Sequence, residues 1–472
     1  MSSSWPSHDL PIELFPLIVG HVVKASHLAC ICLVNKPFYA LAVPLLYKRI
    51  VIRHWYTDWK RRVIRVFQTL ADCPQLALHV NILGKGSHQE LFIGDFPKGL
   101  KVTESDALLE ICARALRNAE QLRSLIWTRD SSLSSEILNA LAQNAHLTQL
   151  SINGNPGRRY DPAQLLGLTR LRELTLIMPS RSVVDILTSW AAILSGNLRS
   201  LTLICKESPW INDEKLMSWG VHLPTLERLN LVGCSKATHE DVWAIIRRNS
   251  HKLKALGLEV LTTAFDTAVF SSACLCAGGL TSLTSFTLTL QPTLLTSAFI
   301  TQLVDLLSHS PLELFQLYAV TNAQDSTPAA ILLSRIIAAH GQRLTKFSVH
   351  RIQLLPCAID DVCAGCAGLQ QLFFTASPSN LAQLGPILAR ALNLRAVHIN
   401  LFPIPEHFQV YDYAAELVAY CGSTVTQFGM NTKVWQVARR VEEGADGEFF
   451  ARPVLMPYEH PDVPEQFLVV RA

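Results

Sequence analysis

LRSLIW from Leu122, LTQLSI from Leu147, LRELTL from Leu171, LRSLTL from Leu198, LERLNL from Leu226 and LKALGL from Leu253 share one beat: apolar-x-x-apolar-x-apolar. The beat continues as LTSFTL from Leu283, LELFQL from Leu312, LTKFSV from Leu344, LQQLFF from Leu369, LRAVHI from Leu394 and VTQFGM from Val425. Successive starts lie 24 to 32 residues apart, so the twelve copies are spaced too regularly for chance. Alternation inside each hexapeptide is a strand signal, because side chains of period two line one face.

A period in the twenties, each unit with one such strand, is the sequence signature of a leucine-rich-repeat solenoid. Amphipathic segments of helical length lie between the strands: Ser135–Ala142, Val183–Leu194, Glu240–Arg248, Ala298–Leu307, Ala329–Ala339 and Leu381–Ala391. Several open on helix-start signals: Thr327 before Pro328, Ser297 before its run, and Thr238 paired with Asp241 as a capping box. The expected fold is therefore α/β, a horseshoe with parallel strands on the concave face and helices outside. Asn155 and Cys234 occupy the ninth position of their repeats, where such repeats carry Asn or Cys.

Bulk properties agree with a binding protein built on a continuous apolar core. Of 472 residues, 49% are hydrophobic and 17% charged, and the net charge of +3 argues against nucleic acid as the main partner. No apolar stretch reaches the 18 or so residues that span a bilayer, so no membrane partner is expected. The sequence MSSSWPSHDLP shows no export signal, and a cytoplasmic or nuclear location is expected. The twelve cysteines are irregularly spaced, and Cys363 and Cys366 form a CxxC with no second pair at zinc-ribbon distance, so buried thiols are expected. No phosphate loop, dinucleotide fingerprint, HExxH or GxSxG occurs, and neither enzymatic activity nor a cofactor is expected.

Ahead of the repeats, residues 10–50 divide into three short apolar segments. Leu10-Pro11 with Glu13 opens the first, in which Leu14, Leu17, Ile18, Val22 and Val23 form one stripe. The second spans Leu28 to Val34 and is interrupted at Pro37; the third, Phe38 to Leu46, is broken by Pro44. So small a core points to a module that gains stability by docking.

The order LPxEL, LxxxCLVNKxF and AxPLLY resembles an F-box over about forty residues. That resemblance implies a three-helix unit binding the Skp adaptor subunit, and through it cullin and RING subunits, of a ubiquitin ligase. The residues it assigns to the adaptor are Leu10, Pro11, Glu13, Leu14, Ile18, Leu33, Val34, Phe38, Pro44, Leu45 and Leu46. F-box followed by leucine-rich repeats implies a substrate receptor that is not itself an enzyme. The alternative is a repeat scaffold or inhibitor whose N-terminal helices only cap the solenoid.

The organisation expected is a tail over 1–9, the F-box over 10–50, and a connecting helix (Asp58 to Leu70) with an atypical capping repeat over 51–121. Twelve repeats follow over 122–432, then a C-terminal tail over 433–472. The capping repeat is read with a strand over Ala77 to Leu83. On the concave face, aromatic residues and histidines gather late in the chain. Leu314, Gln316, Tyr318, Lys346, His350, Gln371, Phe373 and His398 are the expected exposed surface for a protein substrate, or a surface covered by the chain's own tail.

Overall fold

The repeats fold as their periodicity dictates. The computed structural model describes residues 11–22, 24–48, 50, 59–80, 102–128, 130, 132–205, 210–250, 252–259, 264–323, 327–404, 409–443 and 448–457. These fall in two compact units that divide between Asn197 and Leu198.

The first unit opens with a single 3-10 turn at Ile12–Leu14, then α1 (Phe15–Gly20), α2 (Ala25–Cys32) and α3 (Lys36–Lys48). Pro16 sits in the first turn of α1, where a missing N–H costs nothing. Asn35 caps α3 by accepting the Phe38 N–H on Oδ1 at 2.9 Å. Contrary to the sequence reading, Pro44 does not break α3; the carbonyl it leaves unbonded belongs to Ala40, an exposed residue that water can reach. Next come α4 (Trp59–Asp72), α5 (Pro74–Ala77) and α6 (Val102–Asn118). The strand expected from Ala77 is also corrected. Pro74 nucleates the short helix α5, and a turn follows to Val80; residues 81–83 lie outside the described residues. The first three repeats supply β1 (Ser124–Trp127), β2 (Gln149–Asn153) and β3 (Glu173–Ile177), paired in parallel, with α7 (Ser135–Gln143) and α8 (Arg181–Ile193) between and after them.

The second unit carries nine parallel strands in chain order. They are β4 (Ser200–Ile204), β5 (Arg228–Val232), β6 (Ala255–Glu259), β7 (Ser285–Leu290), β8 (Leu314–Ala323), β9 (Lys346–Gln353), β10 (Gln371–Ala376), β11 (Ala396–Leu401) and β12 (Gln427–Met430). A helix follows all but the last: α9 (Asp213–Gly220), α10 (His239–Arg248), α11 (Thr267–Ala277), α12 (Ser297–Leu307), α13 (Thr327–His340), α14 (Pro356–Gly365), α15 (Leu381–Leu388) and α16 (Val410–Tyr420). The capping box on α10 is present, with Thr238 and Asp241 bonded reciprocally. Thr296, rather than the expected Ser297, caps α12.

Each repeat is tied to the one before by a carbonyl that accepts twice. The second residue of each hexapeptide offers its C=O to the N–H groups of the second and third residues of the next. Arg123 accepts from Thr148 and Gln149, and so on, within each unit, to Arg395 accepting from Thr426 and Gln427, all at 2.6–3.1 Å. Where that second residue is threonine (Thr148, Thr284, Thr345, Thr426), its hydroxyl donates to the same carbonyl at 3.2–3.3 Å. Under this frame the leucines at positions one, four and six are buried, and Phe286, Phe315 and Phe347 stack along position four with centroids 6.4 and 5.9 Å apart.

The stretch read as a tail contains two strands. β13 (Lys433–Glu443) turns back on β12, and β14 (Phe449–Pro457) pairs with β13, both antiparallel. Trp435, Val437 and Leu455 continue the core face, and the Val437 N–H bonds the Thr426 carbonyl at 2.8 Å. Alternation that two prolines and an acidic run conceal in the sequence is thus restored by pairing.

Candidate interaction surfaces

In the three-helix module, Val19, Leu28 and Ala42 form the centre, with Val22, Ile31, Cys32, Phe38, Leu45 and Leu46 packed around them. Phe38 meets Phe15 edge to face at 5.1 Å. Of the eleven adaptor candidates, Leu10 lies outside the described residues. Pro11, Glu13, Leu14, Ile18, Leu33 and Val34 are exposed; Phe38, Pro44, Leu45 and Leu46 are half-buried. The list therefore separates into a surface and part of the core that supports it. Leu33 is 86% exposed and Leu17, absent from the list, 64%. The single stripe read over Leu14–Val23 is corrected accordingly: α1 has Val19 as its buried side chain and presents Leu17 and Ile18 outward. A helix of six residues is too short for periodicity to fix which side faces in.

The strand face of the second unit differs from the expected exposed patch. Positions three, five and seven do share the face away from the leucine core, and the register aligns Tyr318 with His350 and Phe373 with His398. On β4–β7, Thr202, Asn230 and Thr287 at these positions are partly accessible and Arg228 is exposed, while Ser200, Gly257 and Thr289 are buried. On β9–β11, Lys346, His350, Phe373 and His398 are buried, the last two at 2% exposure; Leu314, Gln316 and Tyr318 on β8 and Gln371 on β10 are half-buried. Strands under 5 Å apart leave no free flank when large residues face one another across them. Tyr318 stacks on His350 at 4.7 Å, Phe373 meets His398 edge-on at 6.2 Å, and the Lys346 ammonium lies 5.8 Å from the Phe373 ring centre.

A polar chain crosses this buried region. Asn400 Nδ2 donates to His350 Nδ1 at 3.1 Å, while His398 Nε2 donates to Asn400 Oδ1 at 3.2 Å and to the Asn431 carbonyl at 3.0 Å. The Asn431 side-chain oxygen accepts the Leu401 N–H at 2.7 Å. These partners call for a proton on Nε2 of His398 and for none on Nδ1 of His350. Burial, then the neighbouring cations, pushes His350 down to about 3; burial pushes His398 down to about 4, against the pull of its acceptors. Two neutral imidazoles without a carboxylate suit structure better than proton transfer.

Cys363 lies on α14 and Cys366 just past its end, both buried, their thiols pushed up to about 12 and about 11 by burial. Among the described residues no group of three or more His, Cys, Asp or Glu is placed to hold a metal, and no helix is long and apolar enough to cross a membrane.

The chain is a leucine-rich-repeat solenoid by its own geometry: a parallel strand per repeat, a helix or helical turn in the return, and a leucine core between. No family model and no curated protein matches the sequence. Among solved structures it is similar to one titled as a complex of Rad7 and Elc1 in yeast, at 15% identity over 73% of this chain and 91% of that one, with a TM-score of 0.44. A TLR13–ssRNA13 complex shares 15% identity over 61% of this chain and 44% of that one (TM-score 0.32). The leucine-rich-repeat protein LegL7 from Legionella pneumophila shares 13% over 70% and 85% (TM-score 0.31).

Proposed function

We propose that this chain is the substrate-recognition subunit of an SCF-type ubiquitin ligase, its N-terminal helices an F-box that binds a Skp adaptor and its repeats a platform for a protein substrate. One observation carries the reading. A module whose buried residues are Val19, Leu28, Ala42 and Val43 leaves Leu14, Leu17, Ile18, Leu33 and Val34 exposed. A cap has no use for that face, whereas an adaptor groove would bury it. The chain's own contribution is positional, raising substrate concentration beside a ligase assembled from other subunits. For the substrate, the accessible members of the strand face, Leu314, Gln316, Tyr318 and Gln371, are the contact residues this reading favours.

Co-purification of the full chain with a Skp adaptor and cullin tests it. The wild type is expected to capture both, and Leu33→Asp/Val34→Asp neither, with unchanged circular dichroism because both positions are solvent-facing. Failure of the folded wild type to capture the adaptor would return the module to the role of a cap.

A further inference from the structure

Two carboxylates from successive repeats close around one threonine. Asp213 lies in the first turn of α9, Asp241 in the first turn of α10, and Thr238 is the N-cap of α10. The Thr238 N–H lies 3.1 Å from Asp213 Oδ1 and 3.0 Å from Asp241 Oδ1. Its hydroxyl lies 3.2 Å from Asp213 Oδ2 and 3.1 Å from Asp241 Oδ1, while accepting the Glu240 N–H at 3.3 Å.

Counting hydrogens shows a shortage. Thr238 supplies two, and both are divided between the two carboxyl groups. Asp241 is completely buried, and its Oδ2 accepts from nothing among the described residues. A buried carboxylate oxygen with no donor is costly, and a second charged carboxylate beside it, on half-buried Asp213, adds repulsion. Both carboxyl groups reach the same Thr238 N–H and hydroxyl, which sets them side by side. One more hydrogen, on Asp241 and shared with Asp213, removes both problems.

We propose that Asp213 and Asp241 hold a single proton between them and form a pH-sensitive latch joining α9 to α10. Burial, then Asp213, raises Asp241 to about 7, which puts loss of that proton near neutrality. The groups facing Asp241 are Asp213 from α9 and the Cys234 thiol from the β5–α10 connection; Glu240 and His239 share its own helix. The folded pKa stands above the unfolded value of 3.8, so the latch contributes fully below 3.8 and is lost as pH rises through about 7.

The test is thermal melting of the full chain from pH 6 to 8.5 with chelator present, together with infrared spectra of the protonated carboxyl band. The wild type is expected to lose several degrees of Tm across neutrality. Asp241→Asn, whose amide N–H stands in for the proton, is expected to flatten that loss, and Asp213→Asn to act similarly if the first variant folds poorly. The wild-type band should be present at pH 6, diminished at pH 8.5, and reduced at pH 6 in the variant. Equal slopes in wild type and variants, or the same band in both, would overturn the latch. So would a pH dependence that appears only after chelation and is reversed by calcium or magnesium, which would place a cation there.

Discussion

His398 turns the Nδ1 side of its ring toward Gly429 of the next strand, filling the space that a Cβ on Gly429 would take. The glycine is what lets the imidazole reach the Asn431 carbonyl. Gly429→Ala must push the ring off that acceptor and open the packing around Phe373. A loss of about 1–3 kcal/mol is expected from this overpacking, measured by urea denaturation. Stability within about 0.5 kcal/mol of wild type would show that the ring can move freely.

Acid should weaken the same region. His350 and His398 are neutral when folded, at about 3 and about 4, below the unfolded value of 6.5. Their contribution is whole above pH 6.5 and is lost as pH falls from there through the folded values. Each pH unit within that window costs up to about 1.4 kcal/mol per histidine. Urea midpoints between pH 7 and 4 should therefore fall, and His398→Gln should shrink the slope.

Burial separates the two classes of leucine. Leu229 is fully enclosed at position four of β5, and Leu229→Ala is expected to cost about 2–5 kcal/mol. Leu33→Ala, on the solvent side of the helical module, should change stability by less than about 0.5 kcal/mol. Chemical denaturation of the two variants side by side measures the contrast.

His340 offers a stabilising change. Both its ring nitrogens are buried at the end of α13 with no hydrogen-bond partner among the described residues, and burial lowers its pKa. His340→Leu removes two orphaned polar atoms at similar volume, so stability should stay level or rise by about 1 kcal/mol. A thermal shift assay decides; a Tm drop would mean the imidazole has a partner role.

The strands were legible because period two leaves little freedom: each strand begins at the third residue of its hexapeptide, and Leu125, Leu150 and Leu174 face the core as read. Helices with a capping oxygen, such as the one after Thr238, were equally plain. The burial of Phe373 and His398 was not, since it depends on what stands one strand away. A glycine at 429 makes no signal in its own repeat. The helix through Pro44 was hidden because a proline is tolerated when the freed carbonyl is wet. The pairing of β13 with β14 escaped because Pro453 and Pro457 imitate a loop. The helical module showed its composition but not which of its leucines face out.

Those two prolines have a consequence for how the molecule behaves among its neighbours. Val437 points its N–H at the repeat side, so its alternates on β13 do too, and their partners on β14, Pro453 opposite Arg439 and Pro457 opposite Trp435, aim outward. At those outward positions proline has no hydrogen to offer. A foreign strand approaching this margin finds no N–H at Pro453 or Pro457, two of the five outward positions from Phe449 to Pro457, which disfavours edge-to-edge pairing of one array with another.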